Sequence, residues 1–189
     1  MAELVARTRW LALLAKSANM GFNSDAEEMD RLDLSLDVIE AVLSDPALRG
    51  WDGFGVVVQA YGPRGVHVVD WLYALTTRLD QRIMVRLVKG AYWDSEIKWS
   101  QELGLPDYPV FTRKASTDVS YIACAKRLFA NADAFYPQFA THNAHTVAAV
   151  LEMAQGLPRD TFEFQRLHGM GEALHDLVLR DEATKCRIY

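Results

Sequence analysis

The sequence repeats one pattern about six times: a short apolar stretch between turn residues, then a longer segment with apolar residues at helical spacing. Strict alternation of strand and helix is typical of a parallel β-sheet, because each crossover between parallel strands needs a helix-length connection. A barrel and a doubly wound sheet both satisfy this pattern. The predicted strands are 20–25, 53–61, 83–89, 135–141, 162–167 and 187–189, and the predicted helices are 3–18, 25–43, 66–79, 94–102, 116–130, 146–154 and 172–179.

Polar residues at the strand ends favour the barrel. A (β/α)8 barrel collects its chemistry at the C-terminal ends of several strands, whereas a purely structural sheet has no reason to do so repeatedly. No GxGxxG follows the first strand, which weakens the dinucleotide-binding doubly wound alternative. We therefore predict an α/β fold of the TIM-barrel type, with about six of the eight βα units present. The strand-end residues are Asp25, Gln59, Arg86, Lys89, Thr141, His142 and His168.

The third predicted strand carries the strongest single indication of a site. Arg86 interrupts an apolar, largely β-branched run, and a guanidinium there needs an anionic or polar partner. Lys89 and Gly90 follow, and Gly90 lets a ligand approach the backbone closely. Tyr92 and Trp93 then offer flat stacking surfaces. The alternative is an ion pair that only holds a loop in place.

Taken one at a time, the other polar residues keep structural interpretations. Asp25 can cap the helix that follows it, and Gln59 can satisfy the backbone groups of a loop. His168 lies beside Gly-Met-Gly and is better explained as a loop anchor. His142 and His145 could share a helix face as a metal pair, but no third ligand stands at a characteristic spacing, so we expect no metal.

The composition narrows the possible functions. The chain has 189 residues, a net charge of −5 and 24% charged residues, which is the composition of a globular domain. Without a basic excess, nucleic-acid binding through this region is not expected. No apolar run is long enough to cross a bilayer, and the N-terminus lacks the apolar region of a signal peptide. The two cysteines form no CxxC motif, which fits a reducing cytoplasm.

Taken together, the strand-end residues suit a large phosphate-bearing cofactor with a flat ring. Arg86 can donate to an electron-rich ring nitrogen or oxygen, and Gln59 can bond a ring carbonyl or amide. Lys89 can contact a pyrophosphate. In such a site the protein orients the cofactor and tunes its electronics, while the cofactor performs the redox step.

Several long motifs resemble one family in particular. The chain is similar to the proline dehydrogenase barrel, most closely that of the bacterial bifunctional proline utilisation proteins. The motifs run in the family's order across nearly the whole chain. The matching stretches are 25–28 (DAEE), 58–61 (VQAY), 85–94 (VRLVKGAYWD), 108–114 (YPVFTRK), 136–145 (YPQFATHNAH), 164–172 (FQRLHGMGE) and 186–189 (CRIY).

The resemblance implies an FAD enzyme that oxidises L-proline to Δ1-pyrroline-5-carboxylate and passes electrons to a membrane quinone. It also implies a cytoplasmic location, with peripheral membrane association of the parent protein. The domain would be a partial proline dehydrogenase barrel over residues 1–189. The resemblance implies catalytic roles for Asp25 and Arg86, and it implies that Tyr92, Leu167 and Tyr189 line the proline pocket. It also implies that ten residues contact the cofactor, two of which, Trp93 and Lys114, lie nearer the adenosine end. The ten residues are Ala26, Gln59, Arg86, Lys89, Gly90, Ala91, Trp93, Lys114, Thr141 and His142.

The sequence departs from the family pattern at both ends. In the family, a strand with a substrate-pairing lysine precedes the first helix seen here, and a helix with a Tyr-x-x-Arg-Arg pattern follows CRIY. We therefore expect a fragment of the barrel with weakened substrate binding. The alternative from another class is a non-catalytic remnant or interaction module. A further alternative is an unrelated barrel acting on a phosphorylated metabolite, for which His168-Gly169-Met170-Gly171 is a weak candidate loop.

Overall fold

The computed structural model describes all residues from Met1 to Tyr189 and has a single parallel sheet. Its six strands are hydrogen-bonded in chain order, so every connection returns to the next position in the sheet. This is the order of a barrel wall rather than of a doubly wound sheet, in which the strand order reverses. The predicted incomplete (β/α)8 barrel is confirmed. The strands are β1 (Phe22–Ser24), β2 (Phe54–Gln59), β3 (Ile83–Val88), β4 (Phe135–Ala140), β5 (Glu163–Arg166) and β6 (Cys186–Ile188).

Seven helices connect or precede these strands. Each predicted helix is present, with ends that differ by up to three residues except at the start of the second. The helices are α1 (Ala2–Ser17), α2 (Leu32–Leu43), α3 (Gly65–Leu79), α4 (Trp93–Glu102), α5 (Lys114–Ala130), α6 (Ala144–Met153) and α7 (Glu172–Glu182), with short 3-10 turns at Met29–Arg31 and Pro46–Leu48. None of these helices is long and apolar enough to span a membrane.

The main core lies between the outer face of the sheet and the helices. Side chains alternate along each strand, so one set packs outward and the next points into the curl of the sheet. Aromatic residues supply much of the outward set. Phe139 and Phe164 pack with Phe129 and Phe162 at ring-centroid distances of 5.0 to 6.4 Å. Burial of these rings against the helices contributes to the hydrophobic stabilisation of the fold.

The prediction of a helix from residue 25 is wrong. Residues 25–28 have no helical structure, and Asp25 caps no helix. Glu96 of α4 explains where the helical turn begins instead. Its buried carboxylate accepts a hydrogen bond from the Met29 backbone N–H at 2.6 Å, which satisfies a free donor at the start of the turn. Residues 25–28 thereby remain without regular secondary structure, directly after the C-terminal end of β1.

Candidate active site

A cavity of about 520 Å³ opens at the C-terminal ends of the strands. This volume falls within the usual range for ligand sites. Residues from β2, β3, β4 and the loops after β1, β5 and β6 meet there. Twelve of the fourteen predicted site residues line this cavity, and the two that do not are Trp93 and Lys114. The twelve are Asp25, Ala26, Gln59, Arg86, Lys89, Gly90, Ala91, Tyr92, Thr141, His142, Leu167 and Tyr189.

Arg86 occupies the floor of this cavity. Because Val85 and Leu87 point outward into the core, the alternation along β3 turns Arg86 inward. Its Nη1 donates to Asp25 Oδ1 at 2.7 Å, and its guanidinium carbon lies 4.5 Å from the centre of the Tyr189 ring. Asp25 is therefore the anionic partner that Arg86 needs inside an apolar strand. The Tyr189 ring adds a cation–π contact. The ion pair leaves other guanidinium N–H groups free to donate to a ligand.

Sequence reasoning missed Gln165 and Glu163, two polar residues of β5. Gln165 Oε1 accepts from Arg86 Nε at 2.7 Å, and Gln165 Nε2 donates to Glu163 Oε1 at 2.7 Å. Both side chains are buried. Two polar residues spaced two apart within a strand share a face, so the alternation of β5 was the signal that could have found them.

Gln59 of β2 lines the cavity. Its Nε2 donates to the Glu27 carbonyl oxygen at 2.8 Å, while its Oε1 is buried without a partner. The first contact fits the structural interpretation, since Gln59 does hold the loop. The unpartnered oxygen can accept from a ligand N–H group, whereas it cannot bond a ring carbonyl.

Lys89 lies where this cavity meets a second one. Lys89 Nζ and Lys114 Nζ donate to the two oxygens of Asp118 at 2.5 and 2.7 Å. Partial burial opposes the charged form of Asp118, but the hydrogen bonds from Lys114 and Lys89 outweigh it and lower the Asp118 pKa. The second cavity, of about 430 Å³, also contains Trp93, whose Nε1 donates to the Phe111 carbonyl oxygen at 2.8 Å.

Gly90 is required here by packing against Tyr61. It has φ 139°, and a Cβ added to it would lie 2.3 Å from the Tyr61 ring. Burial, followed by the charge of Glu96, raises the pKa of that Tyr61 to about 12. Any larger residue at position 90 would displace the Tyr61 ring or the loop after β3. The sequence predicts that a ligand approaches the Gly90 backbone closely. In the structure the Tyr61 ring makes such a close approach.

His142 links the end of β4 to the loop after β5. Its Nε2 accepts a hydrogen bond from the Leu167 backbone N–H at 3.0 Å, so the ring is neutral and its proton is on Nδ1. Burial, followed by the nearby His175 and Arg166, lowers the His142 pKa. Thr141 is buried beside it, and its carbonyl oxygen accepts from His175 Nε2 at 2.9 Å.

The residues predicted to contact proline lie around the mouth of the cavity. Tyr92 Oη donates to Glu27 Oε2 at 2.6 Å, and this bond raises the Tyr92 pKa. Leu167 is exposed, and the backbone of Tyr189 is paired with Arg166 and His168. His168 therefore anchors its loop through the backbone, as its structural interpretation expected. His145 lies exposed on α6, and no group of three or more metal-ligating side chains occurs in the structure.

A sequence model of the family described as proline dehydrogenase matches residues 2–189. The chain belongs to the proline dehydrogenase family. The bifunctional protein PutA of Klebsiella aerogenes is 53% identical over the whole chain, and proline dehydrogenase 2 of Bacillus subtilis is 28% identical over 87% of it. The chain spans 15% of the length of the Klebsiella protein and 47% of the Bacillus protein.

Solved structures of the family have the same fold. A crystal structure of a mutant of proline utilization A from Bradyrhizobium japonicum superposes with a TM-score of 0.97 and is 58% identical. It covers all of this chain, which spans 19% of that protein. A structure of the Bdellovibrio bacteriovorus protein, inactivated by N-propargylglycine, superposes with a TM-score of 0.94 at 34% identity over 98% of the chain. Both comparisons agree with a parallel sheet that forms part of a larger barrel.

Proposed function

We propose that this chain forms part of a proline dehydrogenase barrel domain, over residues 1–189, that binds FAD and oxidises L-proline to Δ1-pyrroline-5-carboxylate. The observation that carries the proposal is the convergence on one cavity of Arg86, its partner Asp25, and the unpartnered oxygen of Gln59. The family membership supplies the class of reaction.

The residues at the cavity fit a flavin. An imide N–H on a flat ring would satisfy the buried Gln59 Oε1, which has no protein partner. Lys89 and Lys114 lie beyond it with Asp118 between them, where they could hold a pyrophosphate. Trp93 adds an exposed indole face beside Lys114 for an adenine. The remaining assigned contacts are Ala26, Gly90, Ala91, Thr141 and His142, all of which line the main cavity.

Bound FAD would supply the two-electron oxidation of the proline C–N bond. The chain's own residues position the reactants and hold charge. Arg86 carries a fixed positive charge on the cavity floor, where it can stabilise negative charge that develops on an adjacent ring. Asp25 holds that guanidinium through Nη1. Tyr92, Leu167 and Tyr189 bound the space left for a small amino acid.

The part of the cavity proposed to bind proline has fewer charged partners for its ligand than the part proposed to bind FAD. Arg86 is the one guanidinium that lines the main cavity, and Asp25 already pairs with it. A proline carboxylate would need its own cationic partner, because charge-assisted pairs supply both energy and orientation. This observation favours a second candidate function, in which the chain binds flavin without turning over proline.

Electrons would pass to a quinone, and the parent protein would be cytoplasmic with peripheral attachment to a membrane. These proposals rest on the family relationship.

The visible absorbance spectrum of the purified chain tests the proposal. The chain is incubated with FAD, desalted, and then mixed with L-proline in the absence of oxygen. A retained flavin band that bleaches with proline in the unmutated chain, and bleaches far more slowly in Arg86→Ala, is the expected result. A retained band that does not bleach supports the second candidate, whereas loss of the band on desalting overturns both.

A further inference from the structure

A buried polar network lies inside the curl of the sheet, below the candidate cofactor cavity. Its centre is the carboxylate of Glu163, which is 3% exposed. Gln138 Nε2 donates to Glu163 Oε1 at 2.9 Å, and Arg187 Nε and Nη2 donate to its two oxygens at 2.7 and 3.0 Å. Gln165 Nε2 is a further donor at 2.7 Å. Surrounded by N–H groups, Glu163 acts only as an acceptor.

Gln165 carries this network to Arg86. Its Nε2 faces Glu163 and its Oε1 accepts from Arg86 Nε at 2.7 Å. A guanidinium can only donate and a carboxylate can only accept, so one of the two amide orientations satisfies both neighbours. The reverse orientation would set an NH2 group against Arg86 and an oxygen against Glu163. The carboxylate of Glu163 thus decides which end of Gln165 faces Arg86.

We propose that Glu163 is a positioning residue that orients the Arg86 guanidinium through Gln165. Arg86 is held at two nitrogens, Nε by Gln165 and Nη1 by Asp25. The Asp25 side chain is 66% exposed, whereas Gln165 is fully buried, so Gln165 is the anchor that solvent cannot replace. Without a fixed acceptor at Nε, the guanidinium keeps its contacts with Asp25 and with the Tyr189 ring, and neither of these supplies an acceptor for the Nε–H.

A structural role for Glu163 makes different predictions. The bidentate pair with Arg187 joins β5 to β6, and breaking it weakens the edge of the sheet wherever the break occurs. If this were the whole role, Glu163→Gln and Arg187→Lys would act alike, and neither would affect Arg86. Arg187→Lys is therefore the matched control, because it disturbs the same pair and keeps the charge opposite Glu163.

Solvent exchange of the Arg86 Nε–H proton measures this orientation without cofactor or substrate. The signal is followed by 1H–15N NMR on the cofactor-free chain and assigned by its loss in Arg86→Lys. We expect Glu163→Gln and Gln165→Leu each to accelerate exchange by about tenfold, as loss of one hydrogen bond to a charged group implies. The double variant should add little, because both changes remove the same contact. In Arg187→Lys the exchange rate should stay within about twofold of that in the unmutated chain, because this change leaves the bond from Arg86 Nε to Gln165 intact.

Unchanged exchange in Glu163→Gln, together with faster exchange in Gln165→Leu, would overturn the positioning role. Should Glu163→Gln fail to fold by circular dichroism, Glu163→Asp gives the same readout, because it keeps the charge opposite Arg187 and withdraws the carboxylate from Gln165. A second arm rests on the proposed function: in FAD-loaded protein, Glu163→Gln should move the flavin midpoint potential in the same direction as Gln165→Leu. Faster exchange in a chain that retains no flavin would contradict the proposed function and leave the positioning role supported.

Discussion

The two faces of the sheet come from the same strands but differ in chemistry. The outer face presents Val56, Val85 and Phe139 to the helices, and these side chains are at most 1% exposed. The inner face presents Arg86 and Gln138 to a polar interior, where hydrogen bonds replace apolar contact. Along a single strand, residues that pack into the core thus alternate with residues that form the polar interior. Substitutions at adjacent positions should therefore separate the two properties.

The largest expected effect is on the outer face. Phe139→Ala should lower the free energy of unfolding by about 3–5 kcal/mol, because it removes a ring from the aromatic cluster and leaves a cavity. Its neighbour Gln138 faces inward and donates to Glu163. Gln138→Ala should lower the same free energy by only about 1 kcal/mol, the usual net contribution of a hydrogen bond. Urea unfolding of the two variants measures both, and equal losses would contradict the division between the faces.

The next effect concerns the inner face and rests on the proposed function. Arg86→Lys keeps a positive charge but cannot reproduce the forked contacts to Asp25 and Gln165. Proline-dependent bleaching of the flavin should slow by about a hundredfold, the scale of losing one preorganised electrostatic contact. The outward-facing neighbour provides the control: Leu87→Ala should destabilise the chain by about 2–5 kcal/mol and leave bleaching of the folded fraction unchanged. If the flavin bleaches as fast in Arg86→Lys as in the unmutated chain, Arg86 has no role in the proposed reaction.

The difference between the faces also explains how much the sequence revealed. The outer face follows from local rules, because apolar strands and amphipathic helices repeat in order, and the strands, the helices and the barrel could be predicted from them. Arg86 was recognisable because a charged residue interrupted an apolar strand. Its partners Asp25 and Gln165 lie 61 and 79 residues away. Such pairings depend on the curvature of the sheet, which no local pattern encodes.

The segment from residue 25 to residue 28 shows the same limit. Its acidic residues fit the first turn of a helix, and on local grounds that prediction was sound. The structure uses the segment differently because Glu96, 67 residues away, accepts from the Met29 N–H and fixes the start of the turn there. The Glu27 carbonyl oxygen accepts from Gln59 instead of continuing a helix. Tertiary contacts thus decided between two local conformations.

The stabilising contact between His142 and Leu167 at the strand ends should make the free energy of unfolding depend on pH. His142 accepts the Leu167 N–H, and its pKa is lowered in the folded chain. The unfolded chain therefore binds a proton at higher pH than the folded chain does. This contribution to stability is complete above the unfolded value, about 6.5, and is lost as the pH falls through the folded pKa. The free energy of unfolding of the unmutated chain should fall more steeply over this range than that of His142→Asn. His145→Asn, which changes an exposed histidine, should keep the original slope.

The smallest expected effect lies at the exposed rim, outside both faces. Asp118 pairs with Lys89 and Lys114, and its side chain is 37% exposed. Asp118→Asn should lower the free energy of unfolding by about 0.2–1 kcal/mol, the range for exposed ion pairs. The difference should shrink at high salt, because counterions screen the pairs. It should also be present above the ordinary Asp pKa of about 3.9 and disappear as the pH falls through the lowered folded value. A loss comparable with that of Phe139→Ala would show that the rim contributes to stability as the outer face does, and that the division between stability and chemistry does not extend beyond the sheet.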